Sequence, residues 1–274
     1  MTKKELQKLI FSKKSVLCVG LDTDISKIPP SLASKYDTEA IEIFNKKVIN
    51  ATIKYTIAYK INLAFYEIYG AEGYEMLRNT IAYIKSLNEP VFLIADGKRN
   101  DIGNTAEKYA QAYFSAPLDF DAITINPLMG RDTLDPFLKF ENKWIIPLGL
   151  TSNPGAQDFL LEKTINNEYF FEKIMKTLSS DISSEKMMFV VGATQQSLLQ
   201  HIRLAFPDYF FLIPGIGAQG GNLQDTIKNT LTSEGNILIN VSRDIIYTDN
   251  SSAFQQKIEQ KAREYQDIMA SYLS

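Results

Sequence analysis

Eight short apolar runs, separated by stretches of helical periodicity, constrain the fold of this chain more than any other feature. They lie at 16–22 (VLCVGLD), 57–62 (IAYKIN), 91–96 (VFLIAD), 121–126 (DAITIN), 144–149 (WIIPLG), 187–192 (MMFVVG), 210–216 (FFLIPGI) and 236–242 (NILINVS). Runs this continuous mark strands buried on both faces, and such strands belong to parallel sheets covered by helices. Helical spacing fills the gaps: Ile41, Phe44, Val48 and Ile49 recur within 38–54, and 71–87, 104–115, 166–180, 194–205, 221–232 and 253–272 follow the same pattern. Only the connection around 131–140 is too short for a clear helix. Eight β/α units in about 250 residues fit a closed barrel better than an open doubly wound sheet. No linker-like or low-complexity tract divides the chain. Residues 1–274 are therefore expected to form one domain, a (β/α)8 TIM barrel with an N-terminal leading helix.

The 274 residues, 45% hydrophobic and 22% charged, suffice for such a core. A net charge of -3 argues against a general nucleic-acid binder while leaving room for a local anion site. The single cysteine, Cys18, excludes an intramolecular disulfide and multi-cysteine zinc clusters, and suits a reducing, cytoplasmic setting. The start, MTKKELQKLIFSKKS, is basic and amphipathic without a continuous apolar core or small-residue cleavage site, and reads as a helix. No apolar stretch approaches the length of a membrane span, so no membrane partner is expected.

A barrel places its chemistry at the C-terminal ends of the strands and in the loops beyond them. The third run ends in DGKRND, with Asp96, Lys98 and Asp101 alternating in sign. If strand geometry persists, Asp96 and Lys98 point the same way. Two anions beside a lysine favour the ammonium, which suits a proton donor rather than a Schiff-base nucleophile. An isolated DxKxxD would read as a surface ion pair; placement at a barrel rim changes that reading. The other runs supply matching polar ends: Asp22 on the first, Lys60 and Asn62 on the second, Asn126 on the fourth, Thr151 and Ser152 after the fifth, and Arg243 after the eighth.

After the seventh run comes Pro214-Gly-Ile-Gly-Ala-Gln219-Gly220-Gly. Its GxGxxG is misplaced for a dinucleotide fold, which needs the motif after a first strand. The loops after strands seven and eight are instead where barrels bind phosphate, through free backbone amides at a helix N-terminus, and Arg243 can add a bidentate contact. A phosphorylated small molecule is the expected ligand. His201, the only histidine, lies within a helical stretch, and Cys18 within an apolar run, so Ser-His and Cys-His nucleophilic chemistry are disfavoured. No metal is expected either: Lys60, taken to face Asp96 from the neighbouring strand, supplies the charge that a cation would otherwise provide.

These residues resemble the orotidine 5'-phosphate decarboxylase family over essentially the whole chain, in its longer bacterial and protozoal branch. The resemblance rests on Asp96-Gly-Lys98-Arg-Asn-Asp101-Ile-Gly-Asn-Thr105, Lys60-Ile-Asn62, Thr124-Ile-Asn126-Pro-Leu-Met-Gly130, Thr151-Ser152-Asn153-Pro154-Gly155 and the glycine-rich loop. Asp244, after Arg243, stands where a small residue is expected. The resemblance implies a cofactor-free, metal-free carbon–carbon lyase that converts orotidine 5'-monophosphate to UMP and carbon dioxide, the last step of pyrimidine nucleotide synthesis. Lys98 would protonate C6, Asp96 would lie against the departing carboxylate, and Lys60 would hold Asp96 and touch the ribose. Asp22 and Asn62 would bind ribose hydroxyls, Ser152 the pyrimidine amide edge, and Gln219, Gly220 and Arg243 the phosphate. Asn126, Thr151, Pro214 and Ser242 complete the expected substrate-binding set. Asp101 and Thr105 would reach into the site of a second subunit, implying a homodimer. The alternatives are a metal-dependent sugar-phosphate decarboxylase of the same barrel superfamily, which needs an acid where Lys60 stands, and a non-catalytic nucleotide-binding barrel.

Overall fold

Each apolar run becomes one strand: β1 (Leu17–Gly20), β2 (Ala58–Asn62), β3 (Phe92–Arg99), β4 (Ala122–Ile125), β5 (Trp144–Leu150), β6 (Met188–Val191), β7 (Phe210–Ile213) and β8 (Ile237–Val241). The computed structural model describes residues 1–33, 37–217 and 220–273. All neighbouring strands are parallel, and β1 pairs with both β2 and β8, so the sheet closes into a barrel. The helices are α1 (Lys3–Lys13), α2 (Pro30–Ala33), α3 (Asp37–Thr52), α4 (Ala64–Glu67), α5 (Gly70–Ser86), α6 (Gly103–Phe114), α7 (Asp135–Leu138), α8 (Ala156–Phe159), α9 (Phe170–Ser179), α10 (Gln196–Ala205), α11 (Leu223–Thr230), α12 (Arg243–Ile246) and α13 (Phe254–Ala270). The chain is thus a (β/α)8 TIM barrel, with strands buried on both faces because helices cover the outside and side chains fill the inside.

The crossover that resists sequence reading, between β4 and β5, contains no full helix. Two 3-10 turns (Pro127–Met129 and Arg131–Leu134) and the one-turn α7 replace it. Gly130, at φ 108, separates the turns, and Pro136 restarts the chain at α7.

The leading helix α1 closes the end of the barrel opposite the functional rim. Its Thr2/Glu5 capping box fixes the start, and Leu6, Leu9 and Ile10 are buried. The N-terminal ammonium pairs with Asp121 at 3.0 Å, Trp144 Nε1 donates to the Met1 carbonyl at 2.8 Å, and Lys3 Nζ donates to the Asp208 carbonyl at 2.8 Å. These partners precede or begin β4, β5 and β7, which places α1 at the strands' N-terminal ends.

Arg203 is a second tie on that side. Its buried guanidinium donates to the carbonyls of Thr230 (2.8 Å), Phe206 (3.0 Å), Pro207 (3.3 Å), Tyr209 (2.8 Å) and Asn236 (3.0 Å), and lies 3.6 Å from the Phe211 ring centroid. Burial lowers its pKa to about 9 against the opposing field of Asp208. Arg203→Met keeps the stem but strands these carbonyls, so it is expected to destabilise the fold by about 3–5 kcal/mol. The thermal midpoint should fall by about 6–15 °C; a change under about 2 °C would show that the carbonyls find other donors.

Candidate active site

The ends of β1, β2 and β3 bring four charges into one alternating line. Lys60 Nζ donates to Asp96 Oδ2 at 2.6 Å and lies 3.7 Å from Asp22 Oδ1; Lys98 Nζ donates to Asp96 Oδ1 at 2.6 Å. Burial opposes the charge on Asp96, but the fields and hydrogen bonds of Lys60 and Lys98 outweigh it and hold the carboxyl well below its usual range. For Lys60, burial pulls the pKa down while Asp22 and Asp96 pull harder the other way, so the ammonium is kept. Opposite charges at this separation stabilise each other's ionised forms, most strongly for Lys60 and Asp96, which are buried. Asp22 stands on the far side of Lys60, so within one chain the line runs Asp22, Lys60, Asp96, Lys98.

Two details of this geometry differ from the expectation. The strand register sets Asn62, not Lys60, opposite Asp96; Lys60 pairs with Ile94. Its stem spans the remaining rise of roughly 6–7 Å, two strand residues, to reach the carboxylate. The alternation expected from Asp96 to Lys98 also fails. Ala95 pairs with Ile123 and Arg99 with Ile125, so four residues of β3 advance against two of β4. The surplus forms a bulge in which Lys98 takes a left-handed φ of 46. Bulges re-aim side chains in this way beside active sites, and Lys98 meets Asp96 through the bulge rather than through regular pleating. The outside of the bulge is held by Arg99, which donates to the Gly97 carbonyl at 3.0 Å and pairs with Glu67 of α4.

The charges line a cavity of about 280 Å³ at the barrel mouth, together with Asn62, Thr151, Ser152 and Pro214. Leu148, Val190 and Leu212 give one wall an apolar surface. Asn126 belongs to an adjoining cavity of about 320 Å³, which shares Lys98 and Thr151 and includes Phe159. Ser152 is set at the wall by a close approach: a Cβ on Gly192 would fall 2.7 Å from the Ser152 backbone nitrogen, so only glycine fits. Asp22 Oδ1 is shielded from solvent and has no hydrogen-bond donor among the described residues. Three further polar lining residues, Thr124, Asn153 and Asn240, have no role assigned from sequence. For Thr124 and Asn240 a signal is present: each is a buried polar residue within a mostly apolar run.

At the glycine-rich loop, where phosphate binding is expected, fewer backbone amides are free than the sequence suggests. The Gly220 amide donates to Gly217 and the Gly221 amide to Gly215, both at 2.9 Å, so these amides are spent inside the loop. Gly220 takes φ 86, which favours glycine. Helix α11 starts behind Asn222, whose side chain accepts from the Asp225 amide at 3.0 Å, so its first turn is already capped. Gln219 lies outside the described residues. Ser242 Oγ donates to the Gly20 carbonyl at 3.1 Å. Arg243 stands exposed at the start of α12, with no carboxylate partner among the described residues. Asp244, unusual at its position, turns the other way: it accepts from Tyr265 at 2.6 Å and pairs with Lys261 at 3.4 Å, fastening α12 to α13.

Asp101 and Thr105 do not line the cavity of their own chain. The Asp101 carboxylate accepts from the Ile102 amide at 2.7 Å, and Thr105 is exposed on α6. His201 lies apart from the cavity on α10, with Nε2 2.5 Å from Glu172. Cys18 is buried, and burial pushes its thiol up to about 12, which makes it a core residue and not a nucleophile.

The chain matches the orotidine 5'-phosphate decarboxylase / HUMPS family over residues 15–258. It is 46% identical over 273 residues to an orotidine 5'-phosphate decarboxylase of Bacteroides fragilis (strain YCH46), covering 100% of this chain and 98% of that protein. Against the protein of that name from Christiangramia forsetii the identity is 47% over 273 residues, covering 100% and 99%. The solved structure of Leishmania donovani OMP decarboxylase is similar with a TM-score of 0.80 and 30% identity, over 98% of this chain and 99% of that one. With this likeness running through every strand that carries the charged line, the chain belongs to the orotidine 5'-phosphate decarboxylase / HUMPS family.

Proposed function

We propose that Lys98 stabilises and protonates the C6 carbanion formed when this enzyme decarboxylates orotidine 5'-monophosphate to UMP in pyrimidine synthesis. The reaction class follows from the family and its full-length relatives; the observation that carries the residue assignment is the Lys98 ammonium held 2.6 Å from Asp96 at the cavity wall. Breaking the bond between C6 and the carboxylate releases carbon dioxide and leaves the electron pair in the ring plane, where the π system cannot take it. Stabilisation must then be electrostatic, and a fixed ammonium supplies it without reorganisation. Lys98 transfers a proton from Nζ to C6 and regains one from solvent. Asp96 accepts from both lysines, which orients Lys98, and its charge lies against the departing carboxylate.

The remaining assignments extend the same reading. Among the described residues Asp22 Oδ1 lacks a donor, which a ribose hydroxyl would provide, with Asn62 and Lys60 beside it. Ser152 would meet the pyrimidine amide edge, Asn126, Thr151 and Pro214 would complete the wall, and Ser242, Arg243 and the Gly220 turn would hold the phosphate, with Gln219, outside the described residues, keeping the phosphate role that the resemblance implies. The chain acts as a single-domain carbon–carbon lyase of the cytoplasm; among the described residues no helix is long and apolar enough to cross a membrane. It works as a homodimer with Asp101 and Thr105 lent across the interface. Ile102, Leu128 and Met129 are exposed by 60%, 61% and 52% beside Asp101 and after β4, apolar surface of the kind that subunit interfaces cover.

A metal-dependent decarboxylation of a sugar phosphate would need an acid where Lys60 places its ammonium between Asp22 and Asp96. The deciding measurement is turnover of orotidine monophosphate by the purified chain in EDTA, followed by the ultraviolet change on loss of the carboxylate. The rate is expected to stay within about twofold of the untreated enzyme. Turnover that vanished with chelation and returned with magnesium would overturn the metal-free mechanism. Tight UMP binding with intact orotidine monophosphate would instead mark a non-catalytic nucleotide barrel.

A further inference from the structure

We infer that Thr124 is a positioning residue for proton delivery, its one hydroxyl locking the β3 bulge that aims Lys98. The inference deepens the assignment of Lys98 as proton donor and rests on it. Thr124 lies on β4 opposite the bulge, between the register pairs Ala95/Ile123 and Arg99/Ile125. Where the strands lose step, its side chain takes over the pairing. Thr124 Oγ accepts from the backbone amide of Lys98 at 2.9 Å and donates to Asp96 Oδ1 at 2.9 Å. The same Oδ1 accepts from Lys98 Nζ at 2.6 Å. Backbone amide, hydroxyl, carboxylate and ammonium thus form a closed ring, in which Lys98 is gripped at both ends through one threonine.

Three physical features make the grip tight. Thr124 is 1% exposed, which leaves little room for solvent to serve the two groups in its place. Its β-branched side chain has few accessible rotamers, so the hydroxyl is oriented before Lys98 and Asp96 meet it. Lys98 holds a φ of 46, a conformation that non-glycine residues keep only where their surroundings over-determine it. Losing the hydroxyl leaves the Lys98 amide without its acceptor and Asp96 with one donor fewer, and the bulge can relax toward regular pleating. A displacement of the reacting group by about 1 Å costs on the order of 100-fold in rate. Contacts to ribose and phosphate from Asp22, Asn62 and Arg243 lie on other strands and are unaffected.

The test compares Thr124→Val, which keeps the shape and loses the hydroxyl, with Thr124→Ser, which keeps the hydroxyl. In steady-state assays on orotidine monophosphate, Thr124→Val is expected to lower kcat by about 10- to 100-fold with KM within about threefold of the parent. Thr124→Ser should restore kcat to within about threefold. Exchange of the C6 hydrogen of UMP for deuterium in heavy water, followed by NMR, reads the proton transfer in reverse and should slow in parallel with kcat. A Thr124→Val enzyme within twofold of the parent in kcat, a loss carried by KM, or a Thr124→Ser variant as slow as Thr124→Val would overturn the inference. A Thr124→Val chain that did not fold would assign the hydroxyl to the fold and overturn it equally. If Lys98→Ala instead kept its activity, the underlying proton-donor assignment would fail, a result that the Thr124 comparison alone cannot produce.

Discussion

Lys98→Ala is expected to lower kcat by about 10⁴-fold or more, because one substitution removes both functions placed on that side chain. General acid catalysis contributes on the order of 10²–10⁴. Fixed electrostatic stabilisation of developing charge contributes a comparable factor in a water-excluded site. Lys60, the other ammonium of the charged line among the described residues, would not replace Lys98: it is buried between Asp22 and Asp96 and turned to Asp96 Oδ2 at 2.6 Å. Binding of UMP should change far less than turnover, since the residues proposed to hold phosphate and ribose lie on other loops. Folding should survive as well, because the Lys98 side chain is half exposed and Asp96 keeps Lys60. The check is steady-state turnover beside a UMP titration and a thermal melt. Activity within tenfold of the parent, in a folded protein, would refute the proton-donor assignment.

How far such a site is legible in sequence depends on whether each group is placed by local or by long-range structure. Strand ends are local: an apolar run must stop where the barrel mouth meets solvent, so Asp22, Lys60, Asn62 and Asp96 could be placed at one rim from the runs alone. The pairing of Lys60 with Asp96 was also legible, though by the wrong route, because register depends on where β2 and β3 enter the sheet. That register sets Asn62 opposite Asp96, and a long flexible stem makes up the difference. The bulge at Lys98 has no local signature that separates it from regular pleating. It arises from the mismatch between β3 and β4, and therefore from residues some 26 positions away, Thr124 among them. Capping is local too: Asn222 at the start of α11 accepts from the Asp225 amide, so one of the first-turn amides is already used. Asp244 departs from the small residue that the family resemblance leads one to expect after Arg243, and its partners, Tyr265 and Lys261, are supplied by the last helix, far along the chain. The run that ends in Asp22 implies no pairing with Lys60; only the closed barrel shows Asp22 as the anion at the far side of that ammonium.

Mixing two inactive variants should regenerate activity if Asp101 is lent between subunits. Asp101→Ala alone is expected to lower turnover by about 10²-fold or more, from loss of a charged partner in the site. In a heterodimer of Lys98→Ala and Asp101→Ala chains, one barrel holds both defects: its own missing lysine and the partner's missing aspartate. The other barrel has its own Lys98 and receives an intact Asp101. Random reassortment of equal amounts makes about half of the dimers heterodimers, and half of their sites are complete, so about a quarter of the parent activity should return. The gain over either variant is then roughly 25-fold or more, far beyond any effect of concentration on a monomer. The placement of Asp101 favours this outcome, since its carboxylate is absent from the cavity of its own chain and is occupied with the Ile102 amide. Dissociation and reassociation before the assay are required, and sedimentation of the mixture verifies the dimer. If Asp101 served its own barrel, every mixed dimer would contain two defective sites and mixing would restore nothing. A return of activity would therefore establish both the dimer and the direction in which the charge is shared, which neither single variant can do.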